Sequence, residues 1–449
     1  MTYQELLNRK RVKARDFGIE PKAIHPELFD FQRKAVEFAV RKGRAALFLD
    51  TGLGKTICQL EWARQIPGEV LILAPVAVAP QTVREAKDHL GMGVHHSRDG
   101  SVRGKVTITN YERMHLFDAQ QFAGVVLDES SILKSFAGKT KQQLCDTFKA
   151  TPYRLACTAT PAPNDYMELG NHADFLGVMP SNEMLSRWFI NDTMNFGSYR
   201  LKGHAVKSFW QWVGSWAVCA SMPSDLGGDD ERYILPPMGM RLHVVEKAVK
   251  PNIETGCLFG HAELSATNMH ADKRETMAER VAKAAELADT GDFCLIWCES
   301  NAESEALRRA IPDCVEVVGS DDSDAKEAKL DAFSRGEVRV MVTKPSIAGF
   351  GLNWQHCNHV IFASLSYSYE AYYQAIRRTW RFGQKRPVQV DAIIADSEQG
   401  VWRTVKEKME SHNAMKESMR YAALNSSESL GIKTEYIAET KGKLPVWIK

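Results

Sequence analysis

The fold class expected of this 449-residue sequence is α/β: two parallel-sheet lobes with a helical, aromatic-rich insertion between them. Three observations predict it. Short, near-continuously apolar segments alternate with helical ones over 45–158, and the alternation resumes over 293–393. A glycine loop follows the first apolar segment, and chemically distinctive residues recur where the predicted strands end. Strands apolar on both faces belong to parallel sheets covered by helices, and such folds hold ligands at the carboxyl ends of their strands.

Taken in order, residues 1–20 read as a basic N-terminal arm carrying Lys10, Arg11, Lys13 and Arg15. The first lobe follows over 21–177. Its strands are expected at Ala45–Leu49, Val70–Ala74, Val106–Thr109, Val125–Leu127 and Arg154–Thr158, with helices at Thr56–Gln65, Pro80–Leu90 and Thr140–Phe148. The loop Asp50-Thr51-Gly52-Leu53-Gly54-Lys55-Thr56 lies between the first strand and the first of these helices, the context of a phosphate-binding loop. Gly52 and Gly54 let the backbone wrap a phosphate with its N–H groups inward, and the new helix adds its positive end. Lys55 reaches the β- and γ-phosphates, and the Thr56 hydroxyl can ligate Mg²⁺. The full eight-residue form has a glycine where this chain has Leu49. A glycine turn that only caps a helix is the bland alternative.

Val125-Val126-Leu127-Asp128-Glu129 is an apolar strand ending in two acids. Behind a phosphate loop, Asp128 is placed to hold Mg²⁺ and Glu129 to polarise the attacking water. Gln32, ahead of the loop, could read an adenine edge, because its amide both donates and accepts.

Residues 178–245 break the alternation. Trp188, Phe189, Phe196, Tyr199, Phe209, Trp210, Trp212 and Trp216 either pack a small helical insertion or, interleaved with Arg187, Arg200, Lys202 and Lys207, stack on bases. Packing is the favoured reading, with Pro236-Pro237 as the boundary. The second lobe, 246–415, opens with a helical stretch, Glu263 to Ala288. Its strands are expected at Phe293–Trp297, Val315–Val318, Val338–Val342, Val360–Phe362 and Val388–Ile393, and its helices at Ala302–Ala310, Ala325–Phe333 and Tyr369–Trp380. Arg378 and Arg381 lie three apart near the end of that last helix. They are either a solvated basic end or a pair that stabilises charge on a transferring phosphoryl group. A polar tail, 416–449, follows.

Composition narrows the setting. No apolar run reaches membrane-spanning length, so no membrane partner is expected. The N-terminus has no apolar signal core. Nine scattered cysteines without CxxC spacing point to a reducing, cytoplasmic environment. Neither His356-Cys357-Asn358-His359 nor Cys294 with Cys298 has structural zinc spacing. A net charge of +1 decides nothing about nucleic acid.

In order along the chain stand Gln32, DTGLGKT (50–56), LAPVAVAPQ (73–81), ITNYE (108–112), VVLDESSILK (125–134), CTATPAPN (157–164), MVTKPSIAGFGLNWQ (341–355) and QAIRRTWRFGQ (374–384). This set resembles the superfamily 2 helicase-type ATPases, of the Swi/Snf-like branch of double-strand DNA translocases, over about residues 25–395. Lys134 and the terminal RRxxRxGQ favour that branch over DEAD-box RNA helicases.

The resemblance implies two tandem RecA-like lobes, ATP and Mg²⁺ as ligands, and DNA as partner, duplex favoured, with single-stranded DNA or RNA as alternatives. By matching position it implies adenine contact for Gln32 and phosphate and Mg²⁺ binding for Thr51, Gly52, Leu53, Gly54, Lys55 and Thr56. Asp128 and Glu129 become the magnesium-site acid and the catalytic base, and Arg378 and Arg381 the arginine fingers. Thr158, Thr160 and Gln374 would couple hydrolysis to movement, while Gly349, Gly351 and Asn353 would line the nucleotide cleft. Pro75, Tyr111, Ser300 and Ser346 would touch the nucleic-acid backbone. Two departures stand out: DESS replaces DEGH or DEAH, and Ser346 stands where relatives commonly carry arginine. Without chromatin-reading, zinc or nuclease modules in view, the expectation is a minimal bacterial, phage or prophage motor.

Overall fold

In the computed structural model, residues 17–76, 78–134, 138–163, 165–192, 198–246, 273–348, 352–366 and 368–426 are described. They fall into two units, one running to Asp230 and resuming at His412, the other spanning Glu231–Ser411.

The first unit is built on seven parallel strands: β1 (Arg44–Leu49), β2 (Val70–Ala74), β3 (His95–His96), β4 (Val106–Asn110), β5 (Gly124–Asp128), β6 (Tyr153–Cys157) and, after a hairpin of β7 (Phe189–Asp192) and β8 (Ser198–Leu201), β9 (Ala217–Ala220). Their order across the sheet is β3-β4-β2-β5-β6-β1-β9. Every residue of β2 and β5 is buried, as an apolar run with helices on both faces requires. All five strands expected in this lobe are present. The two unexpected ones, β3 and β9, sit at the edges; His95-His96 has no apolar run, and Ala217–Ala220 lies inside the tryptophan-rich segment.

The segment 178–245 is helical over Ser181–Trp188 and Val206–Gly214, yet it also contributes a strand to each sheet. β9 pairs with β1 through Ala46–Leu49, and β10 (Met238–Val245) pairs with β15 (Val388–Ala395) of the second unit. Its aromatics are core. Trp188, Phe209, Trp210, Trp212 and Trp216 are buried, Trp188 stacks on Trp212 with ring centroids 4.8 Å apart, and Trp216 meets the edge of Phe48 on β1 at 5.9 Å. Indole surface spent in this way is closed to base stacking. Phe196 and residues 1–16 lie outside the described residues.

The second unit carries six parallel strands, β10 and β15 with β11 (Cys294–Trp297), β12 (Cys314–Glu316), β13 (Val340–Thr343) and β14 (His359–Phe362), in the order β10-β15-β14-β11-β13-β12. Trp297, Phe333 and Trp354 fill its core. Two polar clusters tie its layers together. Arg280, fully buried on helix Met277–Ala288, pairs with Glu398 and donates to the carbonyls of Ala363 and Ile393 at 3.2 and 3.1 Å. On the sheet, Asp391 of β15 meets His243 of β10 at 2.7 Å and His359 of β14 at 2.8 Å. Burial pushes the Asp391 carboxyl up, but the two histidine hydrogen bonds outweigh it and hold the group below the usual carboxylate range.

The helix expected over 369–380 ends at Ile376. Beyond it the chain tightens into turns in which Arg378 and Thr379 donate their N–H groups to Ala375 and Ile376. Among the described residues no helix is long and apolar enough to cross a membrane.

Candidate nucleotide site

β1 delivers the chain into Asp50–Gly54, and helix Lys55–Gln65 starts directly behind. Gly52 and Gly54 both have positive φ, 96° and 78°, backbone that side chains with a Cβ rarely adopt. At Gly54 a Cβ would also lie 2.3 Å from Gln32 Nε2. That contact explains Gln32: the buried amide donates to Leu53 O at 3.1 Å and accepts from Phe29 N–H at 3.0 Å, tying the helix Asp30–Lys42 to the underside of the loop. The structure thus gives Gln32 an internal bracing role that sequence reading did not anticipate. Leu49, standing in place of the eight-residue motif's glycine, is a fully buried core residue of β1. Its carbonyl accepts from Lys55 Nζ at 3.0 Å.

β5 and β6 are neighbours in the sheet, and β6 adjoins β1, so Asp128, the Thr158–Thr160 turn and the glycine loop share one sheet end. Asp128 is buried, and its Oδ1 accepts the Glu129 N–H at 3.1 Å. Burial and the neighbouring Glu129 carboxylate push its carboxyl up to about 7, offset only in part by the Gln59 amide, Lys55 and the Glu129 N–H. Thr158 Oγ1 reaches Glu129 Oε2 at 3.4 Å and accepts from Thr160 N–H at 3.1 Å, and both threonines are fully buried. A line of contacts therefore runs from the second acid into the TATP turn.

Three further attachments were not legible from spacing. Tyr111, expected at the nucleic-acid backbone, donates its hydroxyl to Asp128 O at 2.7 Å. Burial and the carboxylates of Asp128 and Glu129 push that phenol well up, so it stays a donor. Ser130 hydrogen-bonds His172 at 3.1 Å. Lys416, on helix Gln399–Ser426, pairs with Asp50 Oδ2 at 2.8 Å, while Asp50 Oδ1 accepts the Thr51 N–H at 2.7 Å. Adjacent Met415 is buried in the first unit's core. No motif signal marks a lysine so far along the chain as a partner of the loop.

The remaining expected residues scatter more. Pro75 is half-buried just beyond β2, Ser346 is exposed on the short helix Pro345–Ala348, and Ser300 caps helix Asn301–Ala310 by accepting the Glu303 N–H at 3.1 Å. Arg378 is buried and holds Gln374 through its backbone carbonyl and its side-chain oxygen, both at 2.9 Å. Arg378 and Arg381 each donate to the single carbonyl of Leu352, at 3.3 and 3.2 Å, so the structure brings the two guanidinium groups together. Close by in sequence, Asn353 has a buried Oδ1 without a hydrogen bond. Gly349 and Gly351 lie outside the described residues.

Residues 272–383 match the helicase conserved C-terminal domain. Among curated proteins, the chain is 22% identical to Bacillus subtilis YwqA, provisionally named an ATP-dependent helicase/translocase, over 82% of this chain and 45% of that protein. It is also 22% identical to a Caenorhabditis elegans homologue of the SWI/SNF-related regulator of chromatin subfamily A-like protein 1, over 87% of this chain and 62% of the relative. These similarities support a superfamily 2 helicase of the Swi/Snf-like kind. The chain spans about half the length of the curated relatives it matches. The solved structure of S. cerevisiae Dbp5 bound to RNA and ADP BeF3 superposes with a TM-score of 0.57 at 11% identity, covering 88% of this chain and 98% of that one. That likeness is one of fold, and both units are RecA-like lobes.

The residues at the loop fit a metal-bound nucleotide. The loop backbone is cleared of Cβ atoms at its two turning points, Lys55 stands at its base, and two adjacent acids share a site with too little positive charge to keep both ionised at low cost. The imbalance has a measurable consequence. A carboxyl with a folded-state pKa above its unfolded one binds protons more tightly when folded, so stability falls as pH rises from about 4 to about 7 and is level above. Asp128→Asn should therefore stabilise the first unit in EDTA at pH 8, by at most about 4 kcal/mol at 1.4 kcal/mol per pKa unit. The gain should vanish near pH 4. Thermal unfolding at both pH values checks this, and an Asn variant less stable than the parent at pH 8 would refute it.

Proposed function

We propose that this chain is an ATP-dependent DNA translocase that hydrolyses Mg-ATP and moves along duplex DNA with little sequence specificity. The observation that carries the reading is the convergence of Lys55, Asp128, Glu129 and Thr158 at the carboxyl ends of three neighbouring strands. A scaffold that only borrowed the fold would not need a buried acid pair beside the loop lysine.

In this reading the N–H groups from Thr51 to Thr56 and the Lys55 ammonium hold the phosphates. Lys55 exchanges its carbonyl partners for phosphate oxygens, and Gln32 exchanges a loop contact for the adenine edge. Thr56 and Asp128 hold the divalent cation, which when bound neutralises phosphate charge. Glu129 orients the attacking water and takes its proton. Thr158 and Thr160 pass a change at Glu129 into the TATP turn. Arg378 and Arg381 leave the Leu352 carbonyl to stabilise charge developing on the transferred phosphoryl group, and Gln374 steadies Arg378. Pro75, Tyr111, Ser300 and Ser346 contact the nucleic-acid backbone. The Tyr111 hydroxyl would report that contact directly to the acidic turn.

Names of relatives such as "DNA excision repair protein ERCC-6-like" support DNA over RNA for this chain, as does the RRxxRxGQ ending. The test is phosphate release without nucleic acid and with duplex DNA, single-stranded DNA or RNA. Duplex DNA should stimulate most, and stimulation should fall steeply with salt, because phosphate contacts release counterions. Arg381→Ala should keep ATP binding and lose the stimulation. Stronger stimulation by single strands or RNA would favour strand separation, and no hydrolysis under any condition would leave a non-catalytic binding protein.

A further inference from the structure

Glu129 has φ = 56°, and among the described residues it is the one non-glycine in the left-handed region. A side chain held there costs about 1–3 kcal/mol, and such backbone persists where its surroundings over-determine it. Three contacts hold the near side of this turn: Tyr111 on Asp128 O at 2.7 Å, Glu129 N–H on Asp128 Oδ1 at 3.1 Å, and Ile132 N–H on Glu129 O at 3.2 Å.

The far side is held by a residue that nothing in the motif announces. Ser130 Oγ lies 3.1 Å from Nε2 of His172, 42 positions on, within helix Leu169–Leu176. Both side chains are fully buried. The ring packs edge-on against Phe48, with centroids 5.1 Å apart, and its Nδ1 faces Glu168 O at 3.4 Å. A backbone carbonyl can only accept, so Nδ1 carries the proton and Nε2 is the acceptor, to which Ser130 donates. Burial pushes the imidazole down to about 4, which keeps this neutral tautomer in place at neutral pH.

We propose that His172 is a positioning residue for ATP hydrolysis: through Ser130 it locks the left-handed turn that aims the Glu129 carboxylate at the attacking water. The assignment rests on the hydrolase reading given above. Phe48 and His172 together also connect the turn to β1, the strand that feeds the glycine loop, so one ring contact sets the acid and the loop against each other.

The experiment compares the parent with Ser130→Ala, His172→Leu, His172→Gln and the double variant Ser130→Ala/His172→Leu, measuring kcat and KM for ATP with duplex DNA at saturation, together with melting temperature. Ser130→Ala and His172→Leu should each lower kcat by about 10–100-fold, as a misaimed catalytic group does. KM for ATP should stay within about twofold of the parent's in Ser130→Ala, which leaves Lys55, the loop backbone and the His172–Phe48 contact unchanged. The double variant should be no slower than the slower single one, since both cut the same bond. His172→Gln, whose amide can still accept from Ser130, should recover most of the loss. If His172→Leu fails to fold, Ser130→Ala and His172→Gln carry the comparison. Unimpaired kcat in folded Ser130→Ala, multiplicative losses in the double variant, or a kcat loss matched by KM would overturn the assignment while leaving the hydrolase reading intact. A parent without ATP turnover would overturn both.

Discussion

Glu129→Gln is expected to lower ATP turnover by about 10²–10⁴-fold or more, the range for removing a general base. ATP binding should be preserved. The amide keeps the size and the neighbours of the carboxylate, and Thr158 Oγ1, 3.4 Å from Oε2, can still donate to it. What is lost is the ability to take the proton of the attacking water. In the proposed mechanism nucleotide affinity resides elsewhere, in the loop from Thr51 to Thr56, and relief of the repulsion between Glu129 and Asp128 should if anything improve it. Phosphate release and titration with a fluorescent ATP analogue separate the two effects. Equal turnover in parent and variant would remove Glu129 from the mechanism. A parallel loss of binding would make the residue a structural part of the loop instead.

The largest effect on stability is expected in the second unit. Arg280→Met should destabilise it by about 3–5 kcal/mol, the cost of stripping one partner from a buried ion pair. Arg280 is fully buried, and Glu398 is 1% exposed. The guanidinium also serves Thr276 Oγ1 at 2.9 Å and the carbonyls of Ala363 and Ile393, at the carboxyl ends of β14 and within β15. Methionine fills much of the volume but leaves the Glu398 carboxylate with the Ala395 N–H, 2.9 Å away, and little else nearby apart from Lys273 at 3.9 Å. Adding Glu398→Gln to Arg280→Met should recover a large part of the loss, because the uncompensated charge is then gone. Hydrogen exchange of the β14 and β15 amides measures the local opening free energy. A loss below about 1 kcal/mol would mean that the pair contributes packing and little else.

The two parallel sheets were legible because their central strands are continuous apolar runs between amphipathic helices, as Val70–Ala74 and Val125–Leu127 illustrate, whereas the edge strand β10, with Arg241 and His243 in its run, was not expected. The order of strands was not, since periodicity carries no information about neighbours in a sheet. The edges β3 and β9 were invisible for a different reason: His95-His96 has no apolar run, and Ala217–Ala220 is a short stretch of small residues inside the tryptophan-rich segment. The tryptophans of 188–216 fitted either core or base stacking, and only their burial against β1 decided between the two.

The same division runs through the candidate site. By itself the sequence determined the chemistry on offer, because a glycine loop, a lysine and a strand-ending acid pair are local features written within a few consecutive residues. Tertiary structure alone decided how that chemistry is held, bringing Gln32 under Gly54, Tyr111 onto Asp128, His172 onto Ser130 and Lys416 onto Asp50. Each of these is a single directional contact between residues 17 to 366 positions apart. Such a contact depends on where the packed core places two side chains, which no local pattern encodes.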